Sequence, residues 1–196
     1  MTQSKSSKHT LRLKAGASAI FFIASVYMLE PSMALPCFFA AAFHECGHIL
    51  VAKIRGIHLS EMKLDLFGAR LSVSSSAISY RDEFFLCAAG PLFSLLFAVP
   101  LFLFHNAPFI WNLSAASLFL GLLNLIPVRG FDGGRMMYSL TSLLFSPSVA
   151  DLFERFFTGV FLIFLWGISI YLMLITGGGL SLFVFSVGFF SKIFLS

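Results

Sequence analysis

The chain has little charge. Only 11% of its 196 residues are Asp, Glu, Lys or Arg, whereas 58% are apolar and the mean hydropathy is +0.92. Because a soluble domain carries about 25% charged residues, this composition excludes an ordinary soluble domain. It predicts an all-α polytopic membrane protein, whose length suffices for about six spans of roughly 20 residues each.

Cysteine is also scarce. The three cysteines, Cys37, Cys46 and Cys87, lie in apolar stretches and show no paired spacing. A disulfide framework is therefore not indicated, and the thiols are predicted to pack as small apolar groups. The chain also lacks internal repeats, low-complexity tracts and soluble linkers. Residues 1–196 are therefore predicted to form a single membrane-embedded domain, which begins with a basic tail at 1–14.

Runs without charge predict the membrane spans. Although the first run, with Ser32-Met33-Ala34 behind it, imitates a cleavable signal peptide, hydrophobic segments continue to the C-terminus and favour an uncleaved span. Residues from Arg135 to Ala150, broken by Pro147, are predicted to form an interfacial or half-inserted helix. The predicted spans are Ala15–Leu29, Met33–Ala52, Phe84–Phe104, Ala107–Val128 and two within Phe156–Ser191, divided at Gly177-Gly178-Gly179.

The basic residues indicate the orientation. With the N-terminus in the cytoplasm, six spans place all 13 Lys and Arg residues on the cytoplasmic side, as the positive-inside rule requires. This predicts a multi-pass protein of the cell membrane with both termini cytoplasmic. The net charge of +4 is explained by this topology, so no nucleic-acid partner is expected.

One segment between spans has the period of a β-strand. Charged and apolar residues alternate from Glu61 to Leu66, and a second alternation begins at Arg70, after Phe67-Gly68. The pattern predicts a small β-hairpin within about residues 57–77, lying at the cytoplasmic membrane surface. It is either a structural loop with an apolar side or an edge to which an extended peptide adds as a strand.

His44-Glu45-Cys46-Gly47-His48 matches the pattern H-E-x-x-H in the middle of an apolar run. On a helix the two histidines share one face, so their imidazoles are predicted to converge on one Zn²⁺. Glu45 is placed to act as the general base on water at the metal. Random placement gives this pattern with a probability on the order of 0.3%. The remaining alternative is a polar cluster satisfied between helices.

A catalytic zinc site requires a third protein ligand. Asp132 follows the fourth predicted span on the same side of the membrane, in an irregular segment that contains Pro127, Gly130 and Gly133. Such backbone is tolerated at membrane depth where it is buried or lines a wet cavity, and Asp132 is therefore the preferred candidate. The other acidic candidates lie in or beside the hairpin and are predicted to be solvated: Glu61, Asp65, Asp82 and Glu83.

Together these motifs resemble the site-2 protease family of intramembrane zinc metalloproteases. The resemblance rests on His44 to His48, on Asn124-x-x-Pro127 followed by Asp132-Gly133, and on Ala89-Gly90-Pro91. Within the family, the layout is most similar to the sporulation factor IVFB group. The resemblance implies that His44, His48 and Asp132 bind one zinc ion and that Glu45 activates water. The chain departs from the family at Ser94, where Asn is frequent, and at Arg129 and Gly130, where prolines are common. No PDZ or CBS domain is expected in it.

The expected function is zinc-dependent hydrolysis of a peptide bond in or beside the membrane span of a membrane-anchored protein, with release of a cytoplasmic fragment. The expected partners are this substrate and the lipid bilayer, and the resemblance also allows for a regulatory membrane protein. Asn124 either hydrogen-bonds the substrate backbone or satisfies carbonyls freed by Pro127. The alternatives are a metal-ion transporter, which has no need of Glu45, and an inactive membrane scaffold.

Overall fold

The computed structural model describes residues 12–15, 30–57, 59–65, 68–73, 78–104, 107–176, 183–184, 186–188 and 190. The chain divides into two compact units, Met1–Leu123 and Asn124–Ser196. The described elements of the first unit are β1 (Arg12–Ala15), α1 (Pro31–Ile54), β2 (Leu59–Asp65), β3 (Gly68–Val73), α2 (Tyr80–Leu103) and α3 (Pro108–Asn124), the last of which ends at the boundary. Those of the second unit are α4 (Asp132–Leu144) and α5 (Pro147–Thr176).

Helix α1 has defined signals at both ends. Pro31 occupies the first turn, where its fixed φ suits a helix and its missing N–H costs nothing. At the other end Gly56 has a φ of +66°, its N–H donates to the carbonyl of Lys53 and the N–H of Ile57 donates to that of Ala52. This pairing is a Schellman motif, which satisfies the last carbonyls of the helix and stops it.

Helices α1 and α2 pack closely in the first unit. A Cβ built on Gly47 would lie 2.6 Å from the backbone oxygen of Ala89, so only a glycine permits this approach of the two backbones. Where α1 ends and α2 begins, the Arg55 guanidinium lies 3.1 Å from the Asp82 carboxylate. The hydroxyl of Ser79 accepts from the N–H of Asp82 and so caps the N-terminus of α2. The close contact fixes which face of α2 the middle of α1 meets.

Helix α3 packs against α2 through small residues. The Ser114 hydroxyl donates to the carbonyl of Ala98 at 2.7 Å. A Cβ on Gly121 would lie 3.1 Å from the Cβ of Ser94, which is tighter than an ordinary contact. Ser94 is therefore held between helices and is fully buried.

The three described strands form one sheet in the order β1-β2-β3. Strands β2 and β3 pair antiparallel, with Met62 opposite Leu71, within the segment whose alternation predicts a hairpin. Strand β1 pairs parallel to β2 along its other edge, with Leu13 opposite Met62. Ala15, predicted to open the first span, belongs to this strand. The edge of β2 is thus already occupied by the chain's own N-terminal segment.

The segment after Asp132 differs from its sequence prediction. Residues 135–150 do not form one interfacial helix, because α4 ends at Leu144 and α5 begins at Pro147. Proline is favoured at the first position of a helix, so Pro147 starts α5 rather than interrupting its predecessor. Helix α5 then continues for 30 residues to Thr176, about 45 Å at 1.5 Å per residue.

Among the described residues, three helices are long and apolar enough to cross a membrane: Pro31–Ile54, Tyr80–Pro100 and Pro147–Thr176. Helix α3, with 17 residues, is apolar but shorter. The predicted fourth span, Ala107–Val128, is shortened because the helix ends at Asn124, before Pro127. Residues 16–29 of the predicted first span and the division at Gly177 to Gly179 lie outside the described residues, so the number of six spans stays a prediction.

Candidate metal centre

Helix α1 places two imidazoles side by side. His44 and His48 lie one turn apart on the face of α1 that meets α2, and each residue is only 4% exposed. Their Nε2 atoms are 3.3 Å apart. Two nitrogens held about 2.0–2.1 Å from one tetrahedral zinc ion lie about 3.3–3.4 Å from each other, so the spacing fits a shared metal.

The backbone of α2 fixes the tautomer of His48. Its Nδ1 lies 2.7 Å from the carbonyl oxygen of Leu86, and a carbonyl can only accept. Nδ1 therefore carries the proton of the neutral ring, which leaves the lone pair on Nε2. A metal-binding histidine is commonly oriented in this way by an acceptor behind it.

His44 has a different partner on the same helix. Its Nδ1 lies 3.0 Å from the Oγ of Ser94, a hydroxyl that can accept the Nδ1 proton. Leu86 and Ser94 are eight residues apart, about two helical turns, and thus stand on one face of α2. A single helix face therefore orients both imidazoles with their Nε2 atoms towards each other.

Gly90 lies midway along that face, between Leu86 and Ser94. A Cβ built on it would lie 2.6 Å from the Nε2 of His44 and would overlap the Nε2 of His48. The missing side chain therefore keeps open the space in front of both nitrogens. Two lone-pair nitrogens beside a space that a Cβ would fill are suited to a metal ion.

Glu45 is the third member of the sequence motif and is 8% exposed. It follows His44 directly on α1, so its carboxylate starts about 100° round the helix from the imidazole. That direction is unsuited to an ideal third ligand but suited to a base beside one. A buried carboxylate in a membrane-length helix is costly, which favours a chemical role over a solvated surface role.

The second unit presents Asp132 at the start of a helix. Asp132 is the first residue of α4, after the extended N-cap Phe131, and its carboxylate is favoured there by the helix dipole. Cβ atoms on Gly133 and Gly134 would overlap the carbonyl oxygens of Leu125 and Val128. The two glycines therefore let α4 start directly against the preceding loop.

Asn124 ends α3 and is 8% exposed, and neither of its two predicted roles is decided by this position. Among the alternative acidic ligands, Glu61 and Asp65 lie in β2, whereas Asp82 pairs with Arg55. Sequence reasoning did not assign roles to Leu86, Gly90 or Ser94 at the histidines. The regular spacing of four residues between them was the available signal.

Comparison with known proteins supports a relationship. No family model matches the chain. It is 30% identical over 113 residues to a zinc metalloprotease of Methanocaldococcus jannaschii, covering 54% of this chain and 33% of that one. It is 32% identical over 115 residues to a Synechocystis protein named as a zinc metalloprotease, covering 55% and 30%. The chain thus spans about a third of the length of these relatives.

A solved structure extends the likeness to nearly the whole chain. The site-2 protease from Methanocaldococcus jannaschii matches with a TM-score of 0.70 and 20% identity, over 90% of this chain and 86% of that one. An identity this low supports the fold and not the activity. The chain has the fold of a site-2 protease, and over about half its length its sequence is similar to that of proteins named zinc metalloproteases.

Proposed function

We propose that the chain is an intramembrane zinc metalloendopeptidase that cleaves a membrane-anchored protein in or beside its transmembrane segment. The observation that carries the proposal is the pair of Nε2 atoms 3.3 Å apart. A polar cluster without metal would not require Gly90 to leave the space before both nitrogens open. The names of the relatives agree with the chemistry of this pair.

Asp132 is the proposed third ligand. Two histidines leave a zinc site incomplete, and a carboxylate oxygen is an accepted third donor. The loop before α4 delivers Asp132 at the start of a helix, in the segment that resembles the family's own. One zinc ion per chain is expected.

The division of labour in the site follows from the side chains. When bound, zinc supplies Lewis-acid polarisation of the peptide carbonyl and lowers the pKa of water. His44 and His48 would hold the metal through Nε2, while the carbonyl of Leu86 and the hydroxyl of Ser94 keep the two rings oriented. Glu45 takes the proton from the attacking water and returns it to the leaving nitrogen of the peptide.

The membrane arrangement is part of the proposal. Six spans with both termini cytoplasmic would place the C-terminal part of α1 near the cytoplasmic face, as the distribution of Lys and Arg requires. The substrate's cytoplasmic part would then be the released fragment. This six-span layout, with peptide hydrolysis near the cytoplasmic face, is the reason for placing the chain nearest the sporulation factor IVFB group.

Substrate binding is proposed at the sheet. A regular helix keeps its carbonyls in hydrogen bonds, so a segment to be cut must first open. An opened segment can add to an exposed strand edge, where backbone hydrogen bonds hold it. Because β1 pairs with the edge of β2 that faces away from β3, the outer edge of β3 is the proposed docking edge for substrate in the described sheet.

The proposal is tested by zinc analysis beside cleavage. Glu45→Gln is expected to keep one zinc per chain and to lose cleavage of a doubly tagged single-span substrate with a helix-breaking residue near its cytoplasmic end. Asp132→Ala should bind zinc more weakly and lose activity, whereas Asp151→Asn, at an exposed carboxylate on α5, should change neither. Undiminished cleavage by Glu45→Gln, or a wild-type protein that binds no zinc, would refute the assignment.

A further inference from the structure

The loop before Asp132 contains a tight turn from Val128 to Phe131. The N–H of Phe131 donates to the carbonyl of Val128 at 3.1 Å, and Gly130 has a φ of +100°. Arg129 has a negative φ, since no described residue other than glycine has a positive one. A positive φ at the third position alone is typical of a type II turn.

This turn leaves one backbone donor pointing away from it. In a type II turn the N–H of the second residue, here Arg129, takes no part in the turn's own hydrogen bond. In an apolar setting an unpaired N–H is strongly unfavourable. The structure supplies an acceptor from another element: the Oγ1 of Thr158, on α5, lies 3.0 Å from this nitrogen.

Thr158 belongs to a face of α5 that contacts Arg129 and Phe131, the two neighbours of Gly130 in the turn. Its side chain is 1% exposed, so water does not replace the hydrogen bond. One turn further on, the ring of Phe161 meets the ring of Phe131 edge to face, with centroids 6.3 Å apart. One turn earlier, Glu154 lies 4.0 Å from the Arg129 guanidinium, a partly exposed contact that contributes little.

The turn leads directly into the proposed ligand. Phe131, the last residue of the turn, is also the N-cap of α4, and Asp132 follows it. Only Gly130 and Phe131 separate the N–H held by Thr158 from Asp132, and the turn's own hydrogen bond from Phe131 to Val128 fixes this short segment. We propose that Thr158 is a positioning residue for Asp132, setting where the third metal ligand stands by fixing the backbone of Arg129; this rests on the proposed function.

The test is a double-mutant cycle on zinc affinity, measured by chelator competition with full-length protein in detergent. Thr158→Val keeps the shape and removes the acceptor, and it should weaken zinc binding about tenfold or more, as for other residues that support metal ligands. In an Asp132→Ala background the same substitution should cost nothing further, because its effect passes through Asp132. An equal loss in both backgrounds, or no loss in either, overturns the proposal.

A second variant removes the donor instead of the acceptor. Proline has no N–H, and its ring would stand where the Thr158 hydroxyl now accepts, so Arg129→Pro loses the same hydrogen bond and should weaken zinc binding about as much as Thr158→Val does. Adding Thr158→Val to it should then cost nothing further, because the bond is already lost. A further loss of zinc affinity in that double variant contradicts the inference, even if Thr158→Val alone is too unstable to purify.

Ser169→Ala serves as the matched control on the same helix. Its hydroxyl is buried but bonds within α5, to the carbonyl of Leu165 at 2.7 Å, and zinc affinity should not change. Thr158→Ser, which restores the acceptor, should recover the affinity lost in Thr158→Val. If the wild type binds no zinc, the proposed function fails; if it binds zinc and Thr158→Val binds it equally well, only the role of Thr158 fails.

Discussion

Gly90 stands against the Nε2 atoms of both His44 and His48, so that a single added methyl group would occupy the space between α2 and these nitrogens. The relationship makes an otherwise unremarkable glycine in an apolar helix part of the metal centre. It also explains why α1 and α2 must approach closely here: α1 supplies the two histidines, and α2 supplies the groups that orient them.

Gly90→Ala should therefore abolish zinc binding. The methyl group meets two imidazoles that are themselves held from behind by Leu86 and Ser94, so neither ring can retreat without losing a hydrogen bond. Zinc content and thermal unfolding of the purified variant check this. Gly159→Ala is the matched control, since its Cβ meets nothing within 4 Å; zinc retained at the wild-type level in Gly90→Ala would show that the ion binds elsewhere.

Ser94→Ala should weaken zinc binding by about 10–100-fold while leaving the fold intact. The substitution removes the acceptor 3.0 Å from the Nδ1 of His44, so the ring loses its preferred tautomer and orientation. Isothermal titration of the metal-free protein with zinc measures the effect. Ser114→Ala is the control, because it also deletes a buried hydroxyl in the same unit, but one that donates to the carbonyl of Ala98 rather than bonding an imidazole. Equal affinities in the two variants would assign Ser94 to packing alone.

The sequence predicted the paired histidines because their spacing and the helix period are both local properties. The supports behind them were not predictable in the same way. His48 is oriented by the backbone carbonyl of Leu86, and a carbonyl is present at every residue, so it leaves no mark in the sequence. Thr158 is likewise a single hydroxyl in a long apolar helix, and its partner lies 29 positions away.

The sheet shows another limit of sequence reasoning. Strands β2 and β3 alternate over enough residues to be read locally, and their pairing lies where the pattern places it. Strand β1 has four residues and lies at the end of the basic tail, and alternation over so short a stretch cannot be distinguished from chance. Its pairing with β2 is a long-range property that only the folded chain determines.

Proline substitutions in β3 test strand addition by the substrate. Successive backbone N–H groups of a strand point to its two opposite edges. Leu71 and Ser72 are neighbours in β3, so a proline at one of them removes an N–H that faces β2. A proline at the other removes an N–H that faces outward. The outward variant should cut the cleavage rate while zinc content stays unchanged. Alanine at the same position is its control, and hydrogen exchange identifies which N–H faces outward. Normal processing by the outward proline variant would exclude β3 as the docking edge.

The direction of product release joins topology to chemistry. His44 and His48 lie in the C-terminal half of α1, a few residues before Lys53 and Arg55, and basic residues favour the cytoplasmic side. A substrate cut at that depth leaves most of its span on the outer fragment, so the cytoplasmic fragment retains few apolar residues and loses its anchor. A substrate tagged at both ends, expressed with the wild type or with Glu45→Gln and followed by cell fractionation, should yield a soluble cytoplasmic fragment only with the wild type. If the soluble fragment appears solely on the outer side, both the orientation and the depth of the metal centre are wrong.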